Sequence, residues 1–275
     1  MKKTFRVLLA LAALYALLIL AGCGLYRKVL FPSPSNVPPI PPGYGELIST
    51  KTSDGTIAQG LYFPPPNDDA PVVIFFHGNG ETISYELWRS EDLRSLGYGV
   101  MIGEYRGYGT ARSSGPPTEA GLYADAEAEI QAIEARGIAK NRIAIWGFSL
   151  GTGVASEMAF RGHGCALVLE APFTSISEMA DRYAPFLPTS LIVKDKFDTL
   201  SKAPRITIPT VVAHGDRDTV VPFPMGEKVA RTLPRAQFIG VPGGHHTDLL
   251  ELDQVRIYEA ASKIINSACR APGLK

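Results

Sequence analysis

The length, composition and charge of the chain indicate a folded protein of ordinary type. It has 275 residues, of which 45% are hydrophobic and 20% charged, and this composition excludes a disordered chain. Lys plus Arg and Asp plus Glu both number 27, so the balance gives no support to nucleic acid as a partner.

The first 22 residues have the features of a signal peptide. A basic start, "MKK" plus Arg6, precedes the apolar run Val7–Leu20. That run is too short for a membrane span of about 20 residues, and its length suits a secretory h-region. It ends in "LAGC" at Leu20–Cys23, which resembles the bacterial lipobox, in which the cysteine becomes the lipid-bearing first residue.

These features predict a signal peptide over residues 1–22, lipidation of Cys23 and anchoring in a bacterial cell envelope. An ordinary signal peptide with an incidental cysteine is the alternative. Gly24 is not the aspartate that signals inner-membrane retention, which favours the periplasmic face of the outer membrane. Residues 23–43 are predicted to be a tether, since "FPSPSNVPPIPPG" (31–43) favours extended chain. This segment serves as a free spacer or lies over the domain surface.

From residue 44 to 275 we predict one catalytic domain in which strands alternate with helices. The predicted strands are short, continuous apolar runs, which suit strands buried on both faces of a parallel sheet. Their alternation with helix candidates predicts a doubly wound α/β fold. An earlier pair of segments, 45–55 and 57–65, is predicted to form a hairpin. The strand runs lie at 71–78, 97–107, 142–149, 166–172, 210–216 and 236–244, and the helix candidates at 87–96, 121–136, 151–161, 226–233 and 253–265.

The predicted strands end in polar or glycine-rich residues, and open α/β sheets bind ligands beyond the carboxyl ends of their strands. One of these ends is "GFSLG", Gly147–Gly151, which has the form G-x-S-x-G. In this motif the serine lies on a strained strand-to-helix turn, and the glycines remove side chains that would collide with neighbouring backbone. Ser149 is therefore the candidate nucleophile.

A serine hydroxyl needs a base, and the base needs an orienting acid. In this fold the order along the chain is serine, acid, histidine. Downstream, "HGDRD" offers Asp216 and Asp218, and "GGHHTD" offers His245 and His246. Both segments follow predicted strands, so contact with Ser149 is compatible with the topology.

Six motifs in order make the chain from about 45 to 265 similar to the α/β-hydrolases. It most resembles the compact branch that includes membrane-associated depalmitoylases and peptidase-related esterases. The motifs are "HGNGE" (77–81), "EYRGYG" (104–109), "GFSLG" (147–151), "EAPFTS" (170–175), "HGDRDTVVP" (214–222) and "HHTDL" (245–249).

The resemblance implies a role for each matching residue. Ser149 matches the nucleophile, Asp218 the acid and His246 the general base, with Asp216 as the alternative acid. The backbone amides of Asn79 and Leu150 match the oxyanion hole. His245 stands where the family usually has glycine, and Glu104 replaces the usual aspartate in a segment expected to be structural.

The implied activity is hydrolysis of carboxylic esters or thioesters through an acyl-serine intermediate, without cofactor or metal. A peptidase-like activity and a non-catalytic binding protein of the same fold are the alternatives. The substrate is expected to be a small or lipid-like acyl compound. The stretch from Phe173 to Pro209 leaves room for only a short cap over the site.

Pairing of Cys165 with Cys269 stays open at this stage. An oxidising compartment permits it, but the sequence does not say whether the two backbones approach each other. His77 and His214 each precede glycine at a strand end, and we expect both to be buried structural residues.

Overall fold

The predicted hairpin and the six predicted strands are all present. The computed structural model describes residues 2–269. Each strand lies within its predicted run, because these runs are rich in the β-branched and aromatic residues that suit a buried sheet. The strands are β1 (Glu46–Lys51), β2 (Ile57–Phe63), β3 (Val72–Phe76), β4 (Gly99–Glu104), β5 (Ile143–Phe148), β6 (Ala166–Glu170), β7 (Thr210–Gly215) and β8 (Ala236–Val241).

These strands form one sheet in the order β1-β2-β4-β3-β5-β6-β7-β8. β1 pairs antiparallel with β2, and β2 antiparallel with β4. All other pairings are parallel. Every residue of β3, β5 and β6 is buried, as expected for strands covered on both faces. The predicted α/β-hydrolase fold class is thereby confirmed.

Helices cover both faces of the sheet and give two apolar layers. The helix Glu119–Glu134 begins where the Thr118 side chain, its N-cap, accepts a hydrogen bond from the Gly121 amide. The last helix is longer than predicted and is kinked at Asp253. The helices flanking the sheet are α2 (Leu87–Ser95), α3 (Glu119–Glu134), α4 (Leu150–Phe160), α8 (Phe223–Thr232) and α9 (Leu249–Ala268).

A short cap lies between β6 and β7, as predicted from its length. It contains α5 (Ile176–Tyr183), α6 (Thr189–Ile192) and α7 (Thr199–Lys202). No residue of α5 is fully buried. The cap is therefore a thin cover rather than a lid domain with its own core.

Cys165 and Cys269 form a disulfide, which settles the question the sequence left open. Cys165 directly precedes β6, and Cys269 directly follows α9. Both residues are buried. The bond therefore fastens the last helix to the edge of the second apolar layer.

The N-terminal segment is one continuous helix, α1 (Lys2–Leu30). Its stretch Lys3–Leu30 has the length and composition of a membrane span, contrary to what the run Val7–Leu20 alone predicts. The same properties also describe a signal sequence. The helix continues without a break through Cys23, which is exposed and free.

The proline-rich segment after α1 lies on the domain surface, one of the two arrangements the sequence left open. Phe31 is buried. The carbonyl of Asn36 accepts a hydrogen bond from the Tyr85 hydroxyl at 3.0 Å, and the carbonyl of Pro34 accepts one from Arg112. The segment is therefore held against the loops that follow β3 and β4.

Candidate active site

Ser149 lies on the sharp turn between β5 and α4, with φ of +50° and ψ of −116°. This is a left-handed backbone conformation that costs energy for a residue with a side chain. A Cβ on Gly147 would approach the Gly151 carbonyl oxygen to 2.4 Å, and a Cβ on Gly151 would approach the Phe76 carbonyl oxygen to 2.0 Å. The two glycines are therefore required by backbone contacts, for the reason that the motif predicts.

The three residues from distant motifs meet at the carboxyl edge of the sheet. Ser149 Oγ lies 2.9 Å from His246 Nε2, and His246 Nδ1 lies 2.7 Å from Asp218 Oδ2. The imidazole also packs against Phe148, with ring centroids 5.2 Å apart. A serine, a histidine and a carboxylate in this order can pass a proton from the hydroxyl to the ring.

The Asp218 carboxylate is fully buried and held from both sides. Its Oδ1 accepts hydrogen bonds from the amides of Val220 and Val221, each at 2.8 Å. Burial raises the pKa of this carboxyl, but the hydrogen bonds from His214 and His246 outweigh burial and hold the pKa well below its usual range. Asp218 is therefore ionised at neutral pH.

His214 is the site neighbour that sequence reasoning missed. Its ring is fully buried, with Nε2 3.3 Å from Asp218 Oδ2 and 2.9 Å from the Val221 carbonyl oxygen. The sequence predicts only a structural role for it, because the contact with Asp218 four residues later forms only when the loop after β7 folds back. The structure thus gives Asp218 a second imidazole partner.

The alternative acid and the neighbouring histidine have other partners. Asp216 accepts a hydrogen bond from the Gly243 amide at 2.7 Å. His245 is exposed, with Nδ1 3.1 Å from Asp248 Oδ2. Neither contact reaches Ser149, and the hydrogen-bonded line from Ser149 runs through His246 to Asp218.

Asn79 and Leu150 line the same cavity as Ser149. Leu150 is the first residue of α4, so its amide is one of the helix-end donors that have no partner within the helix. The Asn79 side chain accepts a hydrogen bond from the Tyr108 hydroxyl at 3.0 Å. In the same loop, the Gly78 amide donates to Glu81 Oε2 at 2.6 Å. Both contacts fix the shape of this loop.

The remaining strand-end motifs brace that loop. His77 is fully buried, with Nε2 3.0 Å from Glu104 Oε1. The other oxygen of Glu104 accepts from the Thr110 amide at 3.3 Å. His77 and Glu104 therefore hold neighbouring loops together, as the sequence predicts, and do not face the serine.

An apolar cavity of about 610 Å³ opens beside Ser149. This volume falls within the range of about 300–1,000 Å³ that is common for ligand sites. Phe173 and four helices, α1, α4, α5 and α6, contribute lining residues. Among residues 2–269 there is no group of three or more His, Cys, Asp or Glu side chains arranged to hold a metal.

Comparison with known proteins agrees with this fold. Residues 67–197 match the family described as serine aminopeptidase, S33. An uncharacterised protein of Mycobacterium tuberculosis is 33% identical over 234 residues, covering 82% of each chain. The lysophosphatidylserine lipase ABHD12 of Danio rerio is 37% identical over 179 residues. That match covers 58% of this chain and 46% of the lipase, so the chain corresponds to about half of that relative.

Among solved structures, the Pyrococcus furiosus esterase Pf2001 superposes with a TM-score of 0.71. The match covers 86% of this chain and 99% of the esterase, at 20% sequence identity. An acylaminoacyl peptidase of Pyrococcus horikoshii gives a TM-score of 0.66 at 16% identity, over 84% of this chain and 43% of the peptidase. From the family match and these relatives, the chain belongs to the α/β-hydrolases and is a serine hydrolase of the esterase type.

Proposed function

We propose that Ser149, His246 and Asp218 form the catalytic triad of a membrane-anchored hydrolase that cleaves esters of lipid-like acyl chains. The observation that carries the proposal is the hydrogen-bonded line from Ser149 Oγ through His246 to Asp218, which ends at an apolar cavity of about 610 Å³. The nucleophile and an acyl-binding space are thereby adjacent. The lipase named among the relatives acts on lysophosphatidylserine, and this supports a lipid-like substrate.

The chemistry follows from the positions of these groups. Ser149 Oγ attacks the acyl carbonyl while His246 Nε2 takes the proton, and Asp218 stabilises the imidazolium. The amides of Asn79 and Leu150 stabilise the oxyanion, and removing one such donor costs about 3–4 kcal/mol of transition-state stabilisation. His246 then protonates the departing alkoxide, and water activated by the same ring releases the acyl group from serine.

A fluorophosphonate probe tests the nucleophile directly. We expect covalent labelling of the wild-type protein at Ser149 and no labelling of Ser149→Ala. Asp216→Asn is the matched control for substitution of Asp218. Asp216 lies two residues from Asp218, but its side chain contacts the Gly243 loop. Absence of labelling in folded wild-type protein would contradict the proposal and favour a binding protein of the same fold.

A panel of substrates separates esters from the alternatives. Acyl aryl esters, acyl thioesters and aminoacyl amides of matched size are hydrolysed in parallel, and we expect esters and thioesters to be turned over fastest. Among the described residues, none that lines the cavity is charged, so the lining offers no partner for a peptide terminus. A preference for the aminoacyl amide would instead establish the peptidase-like alternative.

We also propose that residues 1–22 are removed and that Cys23 is lipidated, leaving a tether over 23–43 in a bacterial envelope, with the outer membrane favoured. The Cys165–Cys269 disulfide supports an oxidising compartment. The exposed thiol of Cys23 is accessible for acylation. Several acyl chains, each contributing about 0.8 kcal/mol per buried CH₂, give stable anchoring.

Retention of α1 as a membrane span is the second candidate. It is favoured by a hydrogen bond from the Tyr15 hydroxyl to the Phe186 carbonyl at 3.0 Å, which only an uncleaved chain can make. Metabolic labelling with an alkyne-bearing palmitate, followed by intact-mass measurement, distinguishes the two. Lipidation predicts a label that is lost in Cys23→Ala, whereas an unlabelled mass that includes residues 1–22 establishes the span.

A further inference from the structure

The first turns of chain after Gly22 form part of the cavity that contains Ser149. Five residues of α1 line it, and their spacing of i, i+3, i+4, i+7 and i+8 places them on one face of the helix. From Gly22 to Val29 this face extends over roughly 10 Å of helix axis. The five residues are Gly22, Leu25, Tyr26, Val29 and Leu30. We call the four lining residues after Gly22, namely Leu25, Tyr26, Val29 and Leu30, the α1 wall.

A polar clasp fastens the α1 wall to the catalytic domain. The Tyr26 hydroxyl donates to Asp195 Oδ2 at 2.6 Å, and Arg27 Nε donates to the same oxygen at 2.7 Å. The Asp195 side chain is 5% exposed, and its Oδ1 accepts from the Glu119 amide at the start of α3. A buried carboxylate that lost its cationic partner would be costly, so the clasp fixes the helix at this place.

Apolar packing holds the end of the same helix. Phe31 is buried and its ring meets Phe197 edge-on, with centroids 6.2 Å apart. Leu30 packs against the first apolar layer. A Cβ on Gly22 would contact the Ile192 side chain of α6 at 3.3 Å. The α1 wall is therefore packed against the domain through Leu30, and Gly22 just before it lies against the cap.

The rim around this part of the cavity is exposed and apolar. On the α1 wall, Leu25 is 53% and Val29 77% exposed, and on the cap, Phe186 is 87% and Leu191 72% exposed. Exposed apolar patches of this kind mark contact with membranes or other apolar partners. α1 itself has the length and composition of a membrane span. The rim is thus continuous with the segment of the chain best suited to lipid.

We propose that the α1 wall is the part of the acyl-binding site that selects long acyl chains, which enter from the lipid surface beside the anchor. The proposal rests on the proposed function, because it assigns the acyl chain of that substrate to this wall. It holds whether or not residues 1–22 are removed, since residues 25–30 remain in both cases. The N-terminal segment then sets specificity as well as location.

The first test replaces apolar wall residues with amides. Leu25→Asn/Val29→Asn is compared with Lys28→Asn, an exposed residue of the same helix that does not line the cavity. With aryl esters of 4, 8 and 12 carbons in detergent micelles, we expect kcat/KM for the 12-carbon ester to fall at least tenfold more than for the 4-carbon ester. Lys28→Asn should keep the wild-type chain-length profile.

The second test does not depend on turnover. Ser149→Ala protein is mixed with a palmitic acid that carries a photoreactive diazirine at its chain end and is then irradiated. The adducts are mapped by mass spectrometry. We expect adducts within residues 25–30 and their loss in Leu25→Asn/Val29→Asn.

The two tests separate failure of the wall from failure of the proposed function. A wild-type chain-length profile in Leu25→Asn/Val29→Asn, or adducts that fall only outside residues 25–30, would overturn the α1 wall. Adducts on residues 25–30 in a protein whose wild type turns over no ester would support the wall as an acyl-binding surface and overturn the proposed esterase.

Discussion

At the scale of single residues, Asp218 supplies the buried negative charge beside His246. Its Oδ1 accepts two backbone amides, and its Oδ2 lies beside both His246 and His214. Replacing the carboxylate with an amide keeps the size but presents an NH₂ group to an imidazole nitrogen. The ring is then held in the wrong tautomer.

Asp218→Asn should therefore lower kcat by about 10⁴-fold, as such a change does in serine proteases. Ser149→Ala should lower it by about 10⁶-fold. Steady-state hydrolysis of a chromogenic ester measures both, and circular dichroism shows whether each variant is folded. A folded Asp218→Asn that retains more than a tenth of the activity would contradict the assigned role.

Glu81, in the loop beside the site, makes the stability of the protein depend on pH. Burial, reinforced by the neighbouring charge of Glu86, raises the pKa of Glu81 to about 7, from the ordinary value of 4.5. Between these values the folded protein holds a proton that the unfolded chain has released. Stability therefore falls as pH rises from 4.5 towards 7, because the folded state binds more protons.

Glu81→Gln should remove this part of the decline, while its amide oxygen can still accept from the Gly78 amide. The free energy of unfolding, measured in urea at pH 5 and pH 8, should differ less between the two pH values in the variant than in the wild type. Equal pH dependence in both proteins would show that Glu81 titrates normally.

At the scale of secondary structure elements, the contact between α1 and the cap connects the proposed membrane anchor to the proposed acyl-binding site. In the clasp, burial raises the pKa of Asp195, but the hydrogen bonds from Arg27, Tyr26 and the Glu119 amide together outweigh burial, so the pKa lies below its ordinary value. The carboxylate is consequently charged and depends on its partners from α1. Arg27 is partly exposed, and solvent screening limits what its charge contributes.

Tyr26→Phe/Arg27→Gln should lower the free energy of unfolding by about 1–3 kcal/mol and weaken the preference for long acyl chains. Arg231→Gln is a suitable control, because Arg231 forms only an exposed ion pair with Glu227. Urea denaturation and the aryl ester series measure the two effects. An unchanged chain-length profile in a folded clasp variant would mean that the clasp does not position the wall.

At the scale of the whole molecule, a disulfide links two distant points in the C-terminal half of the chain. The Cys165–Cys269 disulfide joins residues 104 apart in sequence, from the start of β6 to the end of α9. A loop of about 100 residues corresponds to about 4.7 kcal/mol of loop-closure entropy, and natural disulfides contribute about 2–5 kcal/mol.

Cys165→Ser/Cys269→Ser should thus unfold at lower urea concentration, with a loss of about 2–5 kcal/mol. Esterase activity at low temperature should persist, because neither cysteine approaches the Ser149 cavity lining. Equal stability of the variant and the wild type would show that the bond does not contribute to stability.

The sequence by itself determined the α/β fold and which serine is the candidate nucleophile. Strand runs such as "VVIFF" and "ALVLE" are apolar without alternation, and only burial on both faces satisfies that pattern. The glycines around Ser149 are informative for a similarly local reason, because the strained turn excludes any side chain two positions away. His246 and Asp218 were predicted as partners of Ser149 from the order of motifs along the chain.

Only the tertiary structure decided the contacts between segments that are distant in sequence. His214 contacts Asp218 because the loop after β7 folds back, and Cys165 reaches Cys269 because α9 returns to the edge of β6. The position of α1 along the cavity depends on a carboxylate 168 residues away. Local patterns determine which element a segment forms, whereas such partners are chosen by the packing of the whole chain, which no short stretch encodes.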